Sequence, residues 1–141
     1  MILTEKIKEK IKTEYTSWFN NQYGNISKEE RDELGAVFTP ADVTIQMIEK
    51  FDGITDKDIL DPTCGSGNLL AACIIAGADP KRIYGNEFNK EFLQLAKDRL
   101  CKMGVPEENL HQGDATDSYC LTNWGKDYKW PKPEPKKTIL W

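Results

Sequence analysis

One histidine, four cysteines without a CxxC pair, and no long apolar run occur in the 141 residues of this chain. Each scarcity excludes something. The lone His111 cannot build a site by itself and reads as a strand-end residue. Cys64, Cys73, Cys101 and Cys120 lack the spacing of a zinc site, so reduced thiols are expected. No segment is long and apolar enough to suggest a membrane span. The opening "MILTEKIKEKIK" is charged from Glu5 onward and has no apolar signal stretch, which gives a cytoplasmic expectation. Positive charge is also short, with 19 basic against 23 acidic residues and a net charge of −4. Because phosphate neutralisation dominates affinity for nucleic acid, this chain alone is expected to bind duplex DNA weakly. The one compact basic stretch, "KWPKPEPKK", reads as a solvated loop.

What is present suits a soluble domain able to bury a core, since 39% of residues are hydrophobic and 30% charged. Leu3, Ile7, Ile11, Tyr15, Trp18 and Phe19 form one stripe of an amphipathic helix over residues 1–23. "NISKEERDEL" predicts a short second helix, with Ser27 and Glu30 as a capping box. Thr39 as N-cap and Pro40 at the first helical position predict a third, with Val43, Met47, Ile48 and Phe51 inward. From there the pattern alternates. "DILDP", "RIYGNEF" and "NLHQGDA" read as strands, separated by helices over Asn68–Ala76 and Asn89–Met103. Phe92, Leu93, Ala96 and Leu100 face inward on the second of these. Alternation of this kind implies βαβ units, hence an α/β fold with three or four parallel strands and an N-terminal helical extension. The expected organisation is an extension over 1–34, the α/β domain over 35–117, and a Trp-, Pro- and Lys-rich loop with a terminal strand over 118–141.

The chemistry concentrates in "ILDPTCGSGNLLAACI", where a strand ends in an acid and a glycine-rich turn opens a helix. Parallel α/β folds bind nucleotide-like ligands at such turns, beyond the carboxyl ends of the strands. A P-loop would need a GK[ST] lysine, and none follows Gly67. A dinucleotide fingerprint would need a third glycine where Leu70 stands, and Asp61 would repel a pyrophosphate. A ligand with an amino group near that carboxylate and a ribose further out fits better, and S-adenosylmethionine has both. Glu87 at the end of the second strand can accept the ribose hydroxyls, Phe88 can lie on the adenine, and Asp114 after the third strand can take the adenine amino group. Each acid alone could simply cap the next helix. Three acids at three successive strand ends suggest more.

"DPTCGSGNLL" resembles the cofactor motif of the amino-group DNA methyltransferases, especially the adenine-N6 type. "GAVFTP" ahead of it resembles the companion motif that restriction-modification modification subunits and related adenine methylases place before the glycine loop. The likeness covers residues 35–117 and includes "YGNEFN" and "GDATD". It implies a truncated Rossmann-like class I methyltransferase fold with S-adenosylmethionine as cofactor. By that resemblance Phe38, Thr39 and Pro40 close over the methionine end and Asp61 meets the amino group. Pro62, Cys64, Gly65 and Gly67 line the loop, Glu87 holds the ribose, and Phe88, Asp114 and Ala115 flank the adenine.

The resemblance also implies an [NDS]PP[YFW] tetrapeptide after a fourth strand, to hold the target amine and stack on a flipped base. No such tetrapeptide occurs in this sequence. "KKTILW" falls where the fourth strand is expected, and Trp141 stands where the tetrapeptide would begin. The expectation is a cofactor-binding domain of an adenine-specific DNA methyltransferase, inactive alone, with acceptor and DNA-recognition elements supplied by a second chain or by continuation of the same polypeptide in related proteins. Two alternatives stay open. One is a non-catalytic methylase-like protein that sequesters cofactor or docks onto a methyltransferase or restriction complex. The other is a reduced small-molecule or RNA methyltransferase.

Overall fold

A computed structural model describes residues 1–23, 27, 29, 39–116 and 138–140, with 19–23 and 138–140 described by backbone path alone. The chain divides into two compact units, Met1–Asp52 and Gly53–Trp141.

In the first unit, helix α1 spans Glu5–Tyr23 and α2 spans Ala41–Glu49. Thr4 Oγ1 accepts the Ile7 N–H at 3.3 Å at the start of α1, with Glu5 in its first turn, where the helix dipole favours a negative charge. The two helices pack on each other, and Ile11 of α1, Ile45 and Ile48 of α2, and Leu3 ahead of α1 are buried. The expected helix over "NISKEERDEL" lies largely outside the described residues.

The start and inward face of α2 differ from expectation. Pro40, extended at φ −60° and ψ 151°, is itself the cap residue, and the helix begins one position later than the sequence suggested. Its buried positions are Thr44, Ile45 and Ile48, while Val43 is exposed. The reason is a polar group satisfied inside. The Thr44 hydroxyl sits 2.7 Å from the Tyr15 hydroxyl and 3.2 Å from the Pro40 carbonyl, so a threonine is buried where apolar spacing favoured valine.

The second unit is the α/β body. Its strands are β1 (Asp58–Asp61), β2 (Ile83–Glu87), β3 (Leu110–Gln112) and β4 (Thr138–Leu140). All pair in parallel, in the order β3-β2-β1-β4. Helix α3 (Asn68–Ile75) connects β1 to β2 and packs on β1. Helix α4 (Lys90–Lys102) connects β2 to β3 and packs on both.

The expected truncated Rossmann-like architecture is observed, with the fourth parallel strand in place. The local signals that built it are legible. Asn89 caps α4 by accepting the Glu91 and Phe92 N–H groups at 2.9 and 3.1 Å, and Arg99 and Lys102 lie in its last turn. Phe92, Leu93, Ala96 and Leu100 form its buried face, as expected. Together with Ile59, Leu60, Leu70, Ala71 and Ile83 they make the core between sheet and helices. Among the described residues, no helix is long and apolar enough to cross a membrane.

From β1 the chain steps outward to β2 and β3, whereas β4 lies on the other side of β1. The carboxyl end of β1 is therefore the point where strand order reverses. Open α/β sheets bind their ligands at such a point.

Candidate cofactor-binding site

β1 ends in Asp61, whose side chain is only 3% exposed. Its Oδ1 accepts the Thr63 N–H at 3.0 Å, which turns the chain away from the sheet. Burial pushes its carboxyl up to about 6, and the charge of Glu87 adds to the rise against the opposing Thr63 N–H. Glu87, half-buried at the end of β2, is also raised by burial, although the Phe88 and Asn89 N–H groups oppose the effect. Its Oε2 accepts the Phe88 N–H at 2.9 Å. No ion pair among the described residues reaches either acid. Two carboxylates thus share one partly dry region without a cation, an arrangement that an incoming ammonium group would relieve.

The turn beside them depends on its glycines. Gly65 and Gly67 have φ of +56° and +87°, in the left-handed region. A Cβ at Gly67 would stand 2.9 Å from Leu100 Cδ1, so a side chain there would have to displace Leu100 of α4. At Gly65 a Cβ would meet nothing within 4 Å, leaving open space beside the backbone. Cys64 is buried in the same turn, and its N–H donates to the Asn86 carbonyl at 2.8 Å. Burial pushes its thiol well up, which argues against a nucleophile. The Pro62 carbonyl accepts from Asn86 Nδ2 at 3.0 Å.

The other expected residues fall as follows. Phe88 follows Glu87 directly and is 70% exposed, an aromatic surface open to solvent beside the acids. Asp114 lies two residues past β3 and is exposed. Its Oδ1 accepts from the Thr116 N–H at 2.9 Å and the Thr116 hydroxyl at 2.6 Å, and these bonds hold its carboxyl below the ordinary range. Ala115, half-buried, sits in that turn. The structure therefore brings Asp61, Pro62, Cys64, Gly65, Gly67, Glu87, Phe88, Asp114 and Ala115 to one end of one sheet. Thr39 and Pro40 precede α2 in the first unit, and Phe38 lies outside the described residues.

Two residues at this end escaped the sequence reading. Gly85, within β2, lets the turn settle on the sheet, since a Cβ there would lie 3.1 Å from each of Cys64 Sγ, Leu70 Cδ1 and Leu110 Cδ2. A glycine inside a strand is a recognised sign of such close approach. Asn86, fully buried beside it, holds the carbonyls of both flanking loops, and nothing in its local sequence announces this.

A family described as N-6 DNA Methylase matches residues 17–127, most of the chain. The chain belongs to this family. Among curated relatives it is 26% identical over 92 residues to Type II methyltransferase M.VspI of Vibrio sp. (strain 343), covering 64% of this chain and 22% of that protein. It is 34% identical over 73 residues to Type II methyltransferase M.CvrRI of Paramecium bursaria Chlorella virus XZ-6E, covering 52% and 19%. It is 30% identical over 105 residues to the Type I restriction enzyme MjaVII methylase subunit of Methanocaldococcus jannaschii, covering 70% and 18%. The crystal structure of a type I restriction-modification system methyltransferase subunit from Streptococcus thermophilus matches with a TM-score of 0.50 and 30% identity, over 73% of this chain and 22% of that one. The stretch shared with these N-6 DNA methylase relatives is about a fifth of their length.

The candidate residues named from the sequence all belong to the strand ends or to the segment before α2. Elsewhere, a cavity of about 610 Å³ at the α4–β3 edge is lined by Leu93, Lys97, Glu107, Glu108, Leu110 and Gln112, none of them a candidate residue. No cluster among the described residues could hold a metal ion.

Proposed function

We propose that this chain binds S-adenosylmethionine across the carboxyl ends of β1, β2 and β3, as the cofactor-holding part of an adenine-specific DNA methyltransferase. The observation that carries the reading is Asp61, a buried carboxylate with no ion-pair partner among the described residues, at the reversal point of strand order. The residues fit the cofactor's chemistry from one end to the other. Asp61 would take the methionine amino group, the open backbone at Gly65 would admit the chain, and Glu87 would accept the ribose hydroxyls. Phe88 offers its exposed ring to the adenine. Asp114 and Ala115 would border the adenine from the β3 side, although one Asp114 oxygen already serves its own turn. Pro62 and Cys64 would shape the floor, and Phe38, Thr39 and Pro40 are assigned to the methionine end on the likeness of "GAVFTP" alone.

When bound, the cofactor supplies a methyl group already activated as a sulfonium. Transfer then depends on holding an acceptor nitrogen in line and dry, which can be worth about 7–11 kcal/mol. The 141 residues contain no Asn-Pro-Pro-aromatic element for that task. We therefore assign acceptor positioning and DNA recognition to protein outside these residues, on the same polypeptide or on a partner, and place the activity in the cytoplasm. That two of the similar proteins are named as methylase or methyltransferase subunits of type I systems supports a partner.

Calorimetric titration tests the binding claim. S-adenosylhomocysteine should bind more tightly than NAD or ATP, and the reverse order would overturn it. Tritiated-methyl transfer to unmethylated genomic DNA should stay at background for the chain alone and appear with a complementing protein. Binding without complementation by any methyltransferase component would favour a sequestering role instead.

A further inference from the structure

Asn86 stands on β2, between the strands that carry Asp61 and precede Asp114, and its side chain is engaged by protein groups. Its side chain is fully buried, and residues of the loop after β1, of β3 and of the loop after β3 converge on it. One terminal atom lies 3.0 Å from the Pro62 carbonyl and 2.9 Å from the Gly113 carbonyl. The other lies 2.7 Å from His111 Nδ1. Carbonyl oxygens only accept, so the atom facing both must be the amide nitrogen, with both of its hydrogens committed. The remaining atom is then the amide oxygen, which needs a donor. An amide oxygen only accepts, so at 2.7 Å the hydrogen between the two atoms belongs to His111 Nδ1. The amide orientation and the imidazole tautomer are thus fixed together.

We propose that Asn86 and His111 form a positioning latch that sets the spacing between the loop after β1 and the loop after β3. Pro62 opens the glycine turn that follows Asp61, and Gly113 directly precedes Asp114. The latch therefore spans the two borders of the groove from the strand between them. His111, half-buried on β3, locks the amide so that neither carbonyl can lose its donor by a side-chain flip. The main chain reinforces the arrangement on both sides, through Cys64 N–H to the Asn86 carbonyl at 2.8 Å and Gly113 N–H to the Glu87 carbonyl at 3.1 Å. Neither side chain touches the cofactor in this account, so both are positioning residues. Their effect on ligand affinity rests on the cofactor reading above, whereas the latch itself does not.

The test uses the full chain, with amide hydrogen exchange read residue by residue by NMR. In the unaltered protein, nitrogen chemical shifts should show His111 as the Nδ1–H tautomer. His111→Ala should accelerate exchange at Cys64 and Gly113 together, each by about tenfold, the factor for losing one buried hydrogen bond. His111→Asn, whose amide can donate from nearly the same position, should restore slow exchange at both. S-adenosylhomocysteine affinity should fall by about five- to twentyfold in His111→Ala and recover in His111→Asn. An Nε2–H tautomer, or acceleration confined to Gly113 next to the mutated strand, would overturn the latch. Asn86→Ala is the harsher variant, and His111→Ala keeps the test informative if it does not fold. Paired acceleration in a protein that never binds S-adenosylhomocysteine would uphold the latch and sink the cofactor reading alone.

Discussion

Asp61→Asn should make the free protein more stable while weakening its hold on a cationic ligand. The buried carboxyl has its pKa raised from 3.8 to about 6, mainly by burial. A group whose folded pKa is raised binds its proton more tightly in the folded state. Its cost is therefore absent below about pH 4, grows as pH rises through about 6, and is complete above that. At pH 7.5 the cost comes to about 3 kcal/mol, and at pH 5 to about half that, because the folded carboxyl is then mostly protonated. Asparagine has the same shape and keeps an oxygen for the Thr63 N–H, so it removes the charge and little else. That bond weakens when its acceptor is neutral, which trims the expected gain to about 1–2 kcal/mol at pH 7.5. Urea denaturation of both proteins at pH 7.5 and pH 5 measures it. The gain should shrink by about 1 kcal/mol on acidification, since at position 61 aspartate titrates and asparagine does not. A variant less stable than its parent at pH 7.5, or a gap indifferent to pH, would refute the claim that Asp61 is a desolvated charge awaiting a partner.

Three further outcomes follow from the same geometry. S-adenosylhomocysteine affinity should drop by about tenfold per unit below pH 6, because the ammonium partner needs Asp61 ionised, and calorimetry across pH 5–7.5 would detect a flat profile. Gly67→Ala should lower the unfolding free energy by about 1–3 kcal/mol, from the left-handed φ and the 2.9 Å approach to Leu100 Cδ1, whereas Gly65→Ala should lose only the smaller conformational part. Phe88→Ala should leave the melting temperature within a degree or two, since the ring is 70% exposed, yet weaken adenine-containing ligands, and unchanged affinity would remove Phe88 from the site.

Much of this was readable because it is local. Asn89 caps α4 from within its own first turn, and the four inward residues of that helix recur at helical spacing. Asp61 and Glu87 announce themselves as acids at strand ends followed by a glycine turn or a helix start. What escaped depends on partners distant in sequence. Thr44 displaced Val43 from the buried face of α2 because Tyr15, twenty-nine positions earlier, satisfies its hydroxyl. Asn86 looks like an ordinary polar residue in a strand until Pro62, Gly113 and His111 converge on it. Asp114 carries a short-range bond that the pattern did not announce, since the turn with Thr116 occupies one of its carboxylate oxygens.

Strand order also decides how this sheet can assemble. β1, β2 and β3 are joined in sequence through α3 and α4, so each pairing closes a loop of a few tens of residues at most. β4 is different, because Asp58 pairs with Thr138, eighty positions along the chain. Loop-closure entropy grows only with the logarithm of length, so the penalty on final stability is small. The effect on rate is larger, since distant contacts must wait for the chain ends to meet. The three strands that carry or precede Asp61, Glu87 and Asp114 can therefore form before β4 arrives. Mutations in β2 and α4 should slow refolding, while backbone changes in β4 should act mainly on unfolding, an asymmetry that follows from the β3-β2-β1-β4 order alone.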